Sequence, residues 1–521
     1  MNCKEQIRSL LDDARFGRMT STAYDTAWIA RLAELGEPIG RQALDWLREH
    51  QLADGSWGAE QPRYYHDRLI CTLAAVTALA RCGNENDHIR LRRARLGMDN
   101  AIKGLAADTV GETIGFEMLA PTLVTEAKDV GAIRRQDDNL LSLLLNQQRA
   151  VPVESSREAL TRRRDDNLID RLIRHRMAKM MALPAGKINR EVTVAFSAEM
   201  AGNDGLKLFD IKNLQERNGS VAHSPSATAY FALNVRKNDP AALDYLRQTV
   251  LRNRDGGGVP TVSPFEVFER VWILWNLAVA DPLDDEVLAW CQPHLDAVEA
   301  AWKPGLGIGF TAEYGPKGGD ETSLTHEMLS RYGRHVDLDA VMRYEGEDYF
   351  RCFELEVNPS ISANVHVLGA LRHAGFEVEH PAVAKVLQFL KQMRFLEMLW
   401  FDKWHMSPYY PTSHVIVACA GYADEIIADS IKWIIETQKC DGSWGFYGAT
   451  AEETAYCLQA LITWSRCSYD VPRDVIRRGL DWLADHMDPP YSSLWIGKCL
   501  YSPTNVVRSA IVSALLLGSS Y

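Results

Sequence analysis

In the second half of the chain, Gly318-Gly319-Asp320-Glu321-Thr322 sets two carboxylates side by side where a helical segment, Thr322 to Arg331, begins. Asp is a favoured N-cap, so such a pair could serve only to start the helix. Its other use is acid chemistry. A carboxyl group buried among apolar side chains keeps its proton. A proton that is dry and well aimed can be delivered to a carbon–carbon double bond. Asn364 and His366 lie in the segment after this helix, and either can hydrogen-bond a carboxyl group. Two positions apart on a helix, they cannot both point the same way. His366 therefore reads as the acid's partner or as a late base, and Asn364 as a polarising partner. Trp404, His405, Tyr409 and Tyr410 form an aromatic cluster. Ring faces stabilise carbocations without offering a lone pair that would trap them; the same rings also suit plain packing between helices.

The elements that must hold these groups are helical. Ile70 to Ala80 is apolar nearly all round, as a buried helix is, and Phe265 to Leu277 and Thr454 to Trp464 read the same way. Alternating strands with hairpin turns are scarce, so the fold class is all-α. An internal repeat is visible: Trp46 to Gly58 and Trp433 to Gly445 both place Trp, then Gln five residues on, then Asp-Gly-Ser-Trp-Gly, with an apolar helix following. Physically this is a helix stopped by an Asp-Gly turn, with the second Trp packing back on the helix end and the Gln amide bonding the loop backbone. Two copies imply two related helical domains. Arg134 to Arg176 is charge-dense and reads as a solvated helical face. Gly256-Gly257-Gly258 and Asp281-Pro282 mark breaks, with a domain boundary expected near 282.

Bulk properties narrow the function. The 521 residues carry a net charge of -12 with no basic stripe, which argues against a nucleic-acid binder. No apolar run is long enough to span a membrane, the charged N-terminus lacks a signal core, and ten scattered cysteines make no C-x-x-C pair. These features suit a reduced, cytoplasmic setting.

Several segments together resemble the bacterial class II diterpene cyclases, most of all the tuberculosinyl (halimadienyl) and kolavenyl diphosphate synthases. Ser21 to Ala30 resembles that family's S-x-Y-D-T-A-W-V-A signature. The two Q-x-x-D-G-S-W-G segments resemble its QW motifs, and Asn218-Gly219-Ser220 with Ser224 to Ala229 resembles its D-G-S…S-P-S-A-T-A stretch. Leu494 to Tyr501 resembles its W-I-G-K-x-L-Y segment; Pro359 to Ser362, Asn364 to Val367 and Asp402 to His405 point the same way. Residues 318–322 resemble its acid motif Asp-x-Asp-Asp-Thr, with Gly318 at the first aspartate and Glu321 at the fourth position.

The resemblance implies two α/α-barrel domains: a β domain of residues 1–30 plus 283–521, carrying the acid motif, and an inserted γ domain of 31–282. It implies protonation-initiated cyclisation of geranylgeranyl diphosphate to a bicyclic halimadienyl, kolavenyl or copalyl diphosphate, with the diphosphate retained and a class I terpene synthase as the consumer. Asp320 takes the general-acid position. Lys187 and Lys498 match diphosphate-binding lysines, Glu60 matches an acidic position associated with Mg2+, and Tyr501 joins Trp404 and His405 around the substrate. Asp67 is a weaker metal candidate, since Asp67-Arg68 also reads as a helix-start ion pair. The alternatives are a squalene-hopene-type triterpene cyclase and a non-catalytic helical-barrel binding protein. No class I D-D-x-x-D motif stands in a helical context; Asp281 to Glu286 is the nearest lookalike and suits a helix start.

Overall fold

The computed structural model describes residues 3–14, 17–108, 111–133, 185–280, 283–313, 315–354, 356, 358–467 and 471–519. The charge-dense stretch from Arg134 to Arg176 and the Asp281-Pro282 break lie outside them. The apolar runs are helices: Tyr65–Cys82, Glu266–Val279 and Ala451–Arg466. Among the described residues, strand is confined to Trp495–Ile496 and Leu500–Tyr501.

The chain divides into two compact units: Met1–Thr20 with Pro264–Ile496 and Ser502–Tyr521, and Ser21–Ser263 with Gly497–Tyr501. These are called here the acid unit and the lysine unit. The divisions fall earlier than the 30/31 and 282/283 boundaries expected from sequence. The reason is packing. Ala23–Ala30 lies against Pro38–Glu49, Tyr65–Cys82 and Pro225–Tyr230, whereas Glu266–Val279 lies against Gly319–Arg331 and Thr504–Ser519.

In the acid unit six helices form a closed ring. Glu266–Val279, Gly319–Arg331, Ile361–His373, Tyr409–Cys419, Ala451–Arg466 and Thr504–Ser519 each pack on the next, and the last returns to the first. Asp285–Ala301, Pro381–Gln392, Ala428–Glu436 and Arg473–Asp485 pack on the ring's members. The ring helices bury nearly every side chain, while helices such as Pro381–Gln392 bury a single face. That contrast is why the former read as apolar all round. The lysine unit has its own ring of Ala23–Ala30, Tyr65–Cys82, Phe116–Asp129, the 3-10 segment Thr193–Ala201 and Pro225–Tyr230.

One hydrogen-bond device sets the register of the ring helices, and it recurs more often than the sequence repeat shows. A loop residue's backbone N–H donates to a threonine one or two turns into the helix: Trp57 to Thr72 at 3.0 Å, Trp400 to Thr412 at 3.1 Å and Trp444 to Thr454 at 3.0 Å. The same indoles donate to the carbonyls of Leu47, Leu390 and Ile434 at 2.7–2.8 Å. Without a tryptophan the backbone bond persists, from Val259 to Thr26, Val221 to Thr228 and Ile308 to Thr322. The Gln51, Gln215 and Gln438 amides close the Asp-Gly or Asn-Gly turns by donating to Gly55, Gly219 and Gly442, whose φ values of 87, 86 and 94° demand glycine. An unpaired buried N–H would cost about 1–3 kcal/mol, so each such bond holds its loop against its helix.

Candidate active site

The acid motif is built on a glycine N-cap. Gly318 sits in extended backbone (φ -108, ψ 141), and the helix begins at Gly319, whose N–H donates to the Cys352 carbonyl at 2.7 Å. Asp320 is therefore not the cap. It lies in the first turn, where the helix N-terminus favours a carboxylate, and its side chain turns to the neighbouring helix. Its Oδ1 is 2.5 Å from Nδ1 of His366, and Nε2 of His366 is 3.0 Å from Nδ1 of His414. All three are buried. Burial, then the neighbouring His366 and His405, hold His414 well below the usual histidine range, so it is neutral. Trp275 stacks on His414 with centroids 4.7 Å apart, and Trp272 meets His366 edge-on at 5.8 Å.

Glu321 occupies the space that Gly318 leaves. A Cβ at position 318 would overlap the Glu321 carboxyl oxygen Oε2. The lost first carboxylate and the longer fourth side chain thus form one structural unit. Burial, and then the charge of Asp320, push the Glu321 carboxyl up to about 8.

Asn364 does a different job from the one expected. Its Oδ1 accepts the Phe350 N–H at 2.9 Å and its amide donates to the carbonyls of Phe350 and Ser360. It is this helix's version of the loop threonine, so it anchors the helix that carries His366 and does not polarise Asp320. Asp402 completes the anchoring: it accepts the Ile361 N–H at 2.8 Å and the Ser360 and Ser362 hydroxyls at 3.1 and 2.7 Å.

The expected aromatic cluster separates into parts. His405 is fully buried, stacks on Tyr410 at 4.7 Å and places Nε2 3.2 Å from Oε1 of Glu452. Tyr410 touches His414 and Trp495, at 4.4 and 5.1 Å between centroids. Tyr409 points elsewhere and stacks on Trp433 at 4.6 Å. Trp404 is half-buried, with the Lys403 ammonium 4.9 Å from its ring centre.

The remaining expected residues lie in the lysine unit. Lys498 is fully buried, and Glu199, Ser224 and Ser226 accept its ammonium hydrogens at 2.5, 2.8 and 2.7 Å. An ammonium has three donors, and all three are engaged. The geometry thus corrects the expectation that Lys498 binds diphosphate: it is a structural cation. Lys187 is exposed and Tyr501 half-buried. Asp67 accepts the backbone N–H groups of Ala59 and Leu500, both at 2.8 Å, while Arg68 reaches Ser56, Asp54 and the Ala59 and Glu60 carbonyls. The two do not form the ion pair read from sequence. Glu60 presents an exposed side chain. Among the described residues, the group best arranged for a cation is Asp67, Cys71 and Cys499, with ligand atoms within 4.8 Å of one another. Burial raises both thiols, and thiols do not suit magnesium. A magnesium ion held mainly by phosphate oxygens needs only one or two carboxylates, which a side chain like Glu60 fits.

Sequence reasoning missed His414, Glu452 and the anchoring role of Asp402. The signal for His414 and Glu452 was register: each ring helix carries interior residues two before and two after the loop threonine, whereas Asp402 lies in a loop outside that register.

A ring of buried helices with one carboxyl backed by two imidazoles, among indoles and phenols, defines a helical-barrel cyclase of the protonating kind. Comparison with known proteins agrees. The profile of the squalene-hopene cyclase C-terminal domain matches residues 352–493. The type B diterpene cyclase of Mycobacterium tuberculosis is 43% identical over 98% of this chain and 99% of its own length. The ent-copalyl diphosphate synthase of Streptomyces sp. KO-3988 is 30% identical over 96% of the chain and 92% of its own. Among solved structures, ent-copalyl diphosphate synthase from Streptomyces platensis superposes with a TM-score of 0.78 at 29% identity, covering 99% of both chains. The chain belongs to the class II diterpene cyclases, enzymes of the isomerase type.

Proposed function

We propose that the substrate is geranylgeranyl diphosphate and the product a bicyclic halimadienyl, kolavenyl or copalyl diphosphate with the diphosphate intact. The hydrogen-bonded series Asp320–His366–His414 carries this reading. With the Nδ1–H of His366 donated to Oδ1, Asp320 keeps its acidic proton on Oδ2. That O–H bond breaks, the proton joins the CH carbon of the terminal alkene, and its dimethyl-bearing neighbour becomes a tertiary cation that successive alkenes capture in ring closure. As the Asp320 carboxylate forms, the Nδ1–H of His366 stays donated to Oδ1, and neutral His414 meets His366 Nε2 without adding a charge. Indole and phenol faces favour cations over water.

Lys187 is assigned to the diphosphate, because its ammonium is exposed where that of Lys498 is not. Magnesium, when bound, would neutralise diphosphate charge, and Glu60 is the carboxylate assigned to hold it. A product that retains its diphosphate calls for a class I terpene synthase downstream. All ten cysteines are free, which fits the reducing cytoplasm.

The test is incubation with geranylgeranyl diphosphate and Mg2+, phosphatase treatment, and gas chromatography–mass spectrometry. A bicyclic diterpene alcohol supports the reading; no consumption, or consumption of squalene instead, overturns it.

A further inference from the structure

The loop-threonine register places particular residues on the interior face of each ring helix. In the acid unit the residues two before the anchor are Asp320, Ser362, Tyr410 and Glu452, counted from Thr322, Asn364, Thr412 and Thr454. The residues two after it are Leu324, His366, His414 and Tyr456. The two positions in each helix are one turn apart and share a face. All eight are buried, and six of them meet one another: His366 with Asp320 and His414, His414 with Tyr410 and Tyr456, and Tyr456 with Glu452. Glu452 thus stands in its helix where Asp320 stands in its own.

The two carboxyl groups are equipped oppositely. Oε1 of Glu452 accepts from three directions: the Trp495 indole at 2.7 Å, the Tyr456 hydroxyl at 3.1 Å and His405 Nε2 at 3.2 Å. An indole N–H can only donate, so Oε1 is an acceptor, which leaves Oε2 as the oxygen that can take up a proton. Oε2 is buried and has no hydrogen-bond partner among the described residues. A buried carboxylate oxygen left open among aromatic rings is costly unless something meets it in use.

We propose that Glu452 is the terminal base. This rests on the cyclase reading above. In the last step a C–H bond beside the cationic carbon breaks, its electron pair becomes the new alkene, and the proton passes to Oε2. One proton enters from Asp320 and one leaves to Glu452, so the reaction remains an isomerisation and needs no co-reactant.

Glu452→Gln tests it. The amide oxygen still accepts the three donors, and an NH2 group that cannot take a proton replaces Oε2. With the circular dichroism and melting temperature of the wild type, the variant is expected to lose the wild-type alkene in favour of isomeric alkenes or a water-captured alcohol, or to turn over about 100-fold more slowly. In D2O its products should still carry one deuterium on the ring CH2 that was the CH carbon of the terminal alkene, showing that the Asp320 step is intact. The wild-type product at the wild-type rate would overturn the proposal. If Glu452→Gln does not fold, Glu452→Asp keeps the charge but withdraws the oxygen by one methylene; an altered product ratio supports the proposal and an unaltered one sinks it. A wild-type protein inert toward geranylgeranyl diphosphate would instead refute the substrate assignment, so the two failures are distinguishable.

Discussion

The two units place their buried charges in opposite states. In the lysine unit the Lys498 ammonium is matched by Glu199 and two serine hydroxyls, and the Tyr24 hydroxyl also donates to Glu199 at 2.9 Å. Every donor of the cation has an acceptor. In the acid unit Asp320 is held from one side by a histidine, and Oε2 of Glu452 has no hydrogen-bond partner among the described residues. The same helix register serves both: Tyr24 and Ser226 in the lysine unit stand two residues before their threonines, as Asp320 and Glu452 do in theirs. The difference teaches that the scaffold specifies where a side chain points, and the residue placed there decides between stability and chemistry.

The sharpest way to break this comparison is at Asp320. Asp320→Asn keeps shape and hydrogen bonding to His366 but has no acidic proton. Turnover should fall by at least about 10³-fold with an unchanged unfolding midpoint. Residual activity near that of the wild type would move the acid to another residue.

The matching cut in the lysine unit should do the reverse. Lys498→Met leaves Glu199 buried without its cation and is expected to cost about 3–5 kcal/mol in urea unfolding. Lys498→Met combined with Glu199→Gln removes both charges and should recover much of that loss. A single variant as stable as the wild type would show that Lys498 is not a structural cation and would return it to the diphosphate.

Much of this arrangement was legible in the sequence, and the rest was hidden for identifiable reasons. Asp320 and His366 were readable because a carboxylate pair at a helix start and a histidine on the following helix are chemically conspicuous. The helices were readable from unbroken apolar runs. The repeat showed in only two copies because its tryptophan is replaceable: Val221, Ile308 and Phe350 make the same backbone bond, and Asn364 does a threonine's work. Lys498 was misread because a motif lysine gives no sign of its burial. Glu452 went unnoticed because, next to Glu453 at the start of Ala451–Arg466, it looks like an ordinary first-turn acid.

Gly318 and Glu321 sharpen the acid unit's side of the comparison. Gly318→Asp restores the missing carboxylate in sequence, but its Cβ overlaps the Glu321 carboxyl. The single variant should be destabilised by about 1–3 kcal/mol and less active. Adding Glu321→Asp withdraws the colliding group and should recover both, as read by melting temperature and kcat. A fully active, stable single variant would mean that the glycine and the glutamate are independent.

A pH dependence is also expected from Glu321. Its folded carboxyl is raised from the ordinary 4.5 to about 8 by burial and by Asp320. Between those values the unfolded chain has released the proton and the folded chain still holds it. Folding is therefore favoured most below the unfolded value and loses ground as pH rises toward 8, on the order of 1 kcal/mol per pH unit at most. Glu321→Gln carries no titrating proton and should remove this slope: near-equal unfolding midpoints for the two proteins at about pH 5, and a more stable variant at about pH 8. Parallel midpoint–pH curves would show that Glu321 titrates near its unfolded value, and the carboxyl beside the acid would then be charged rather than neutral during the proton transfer.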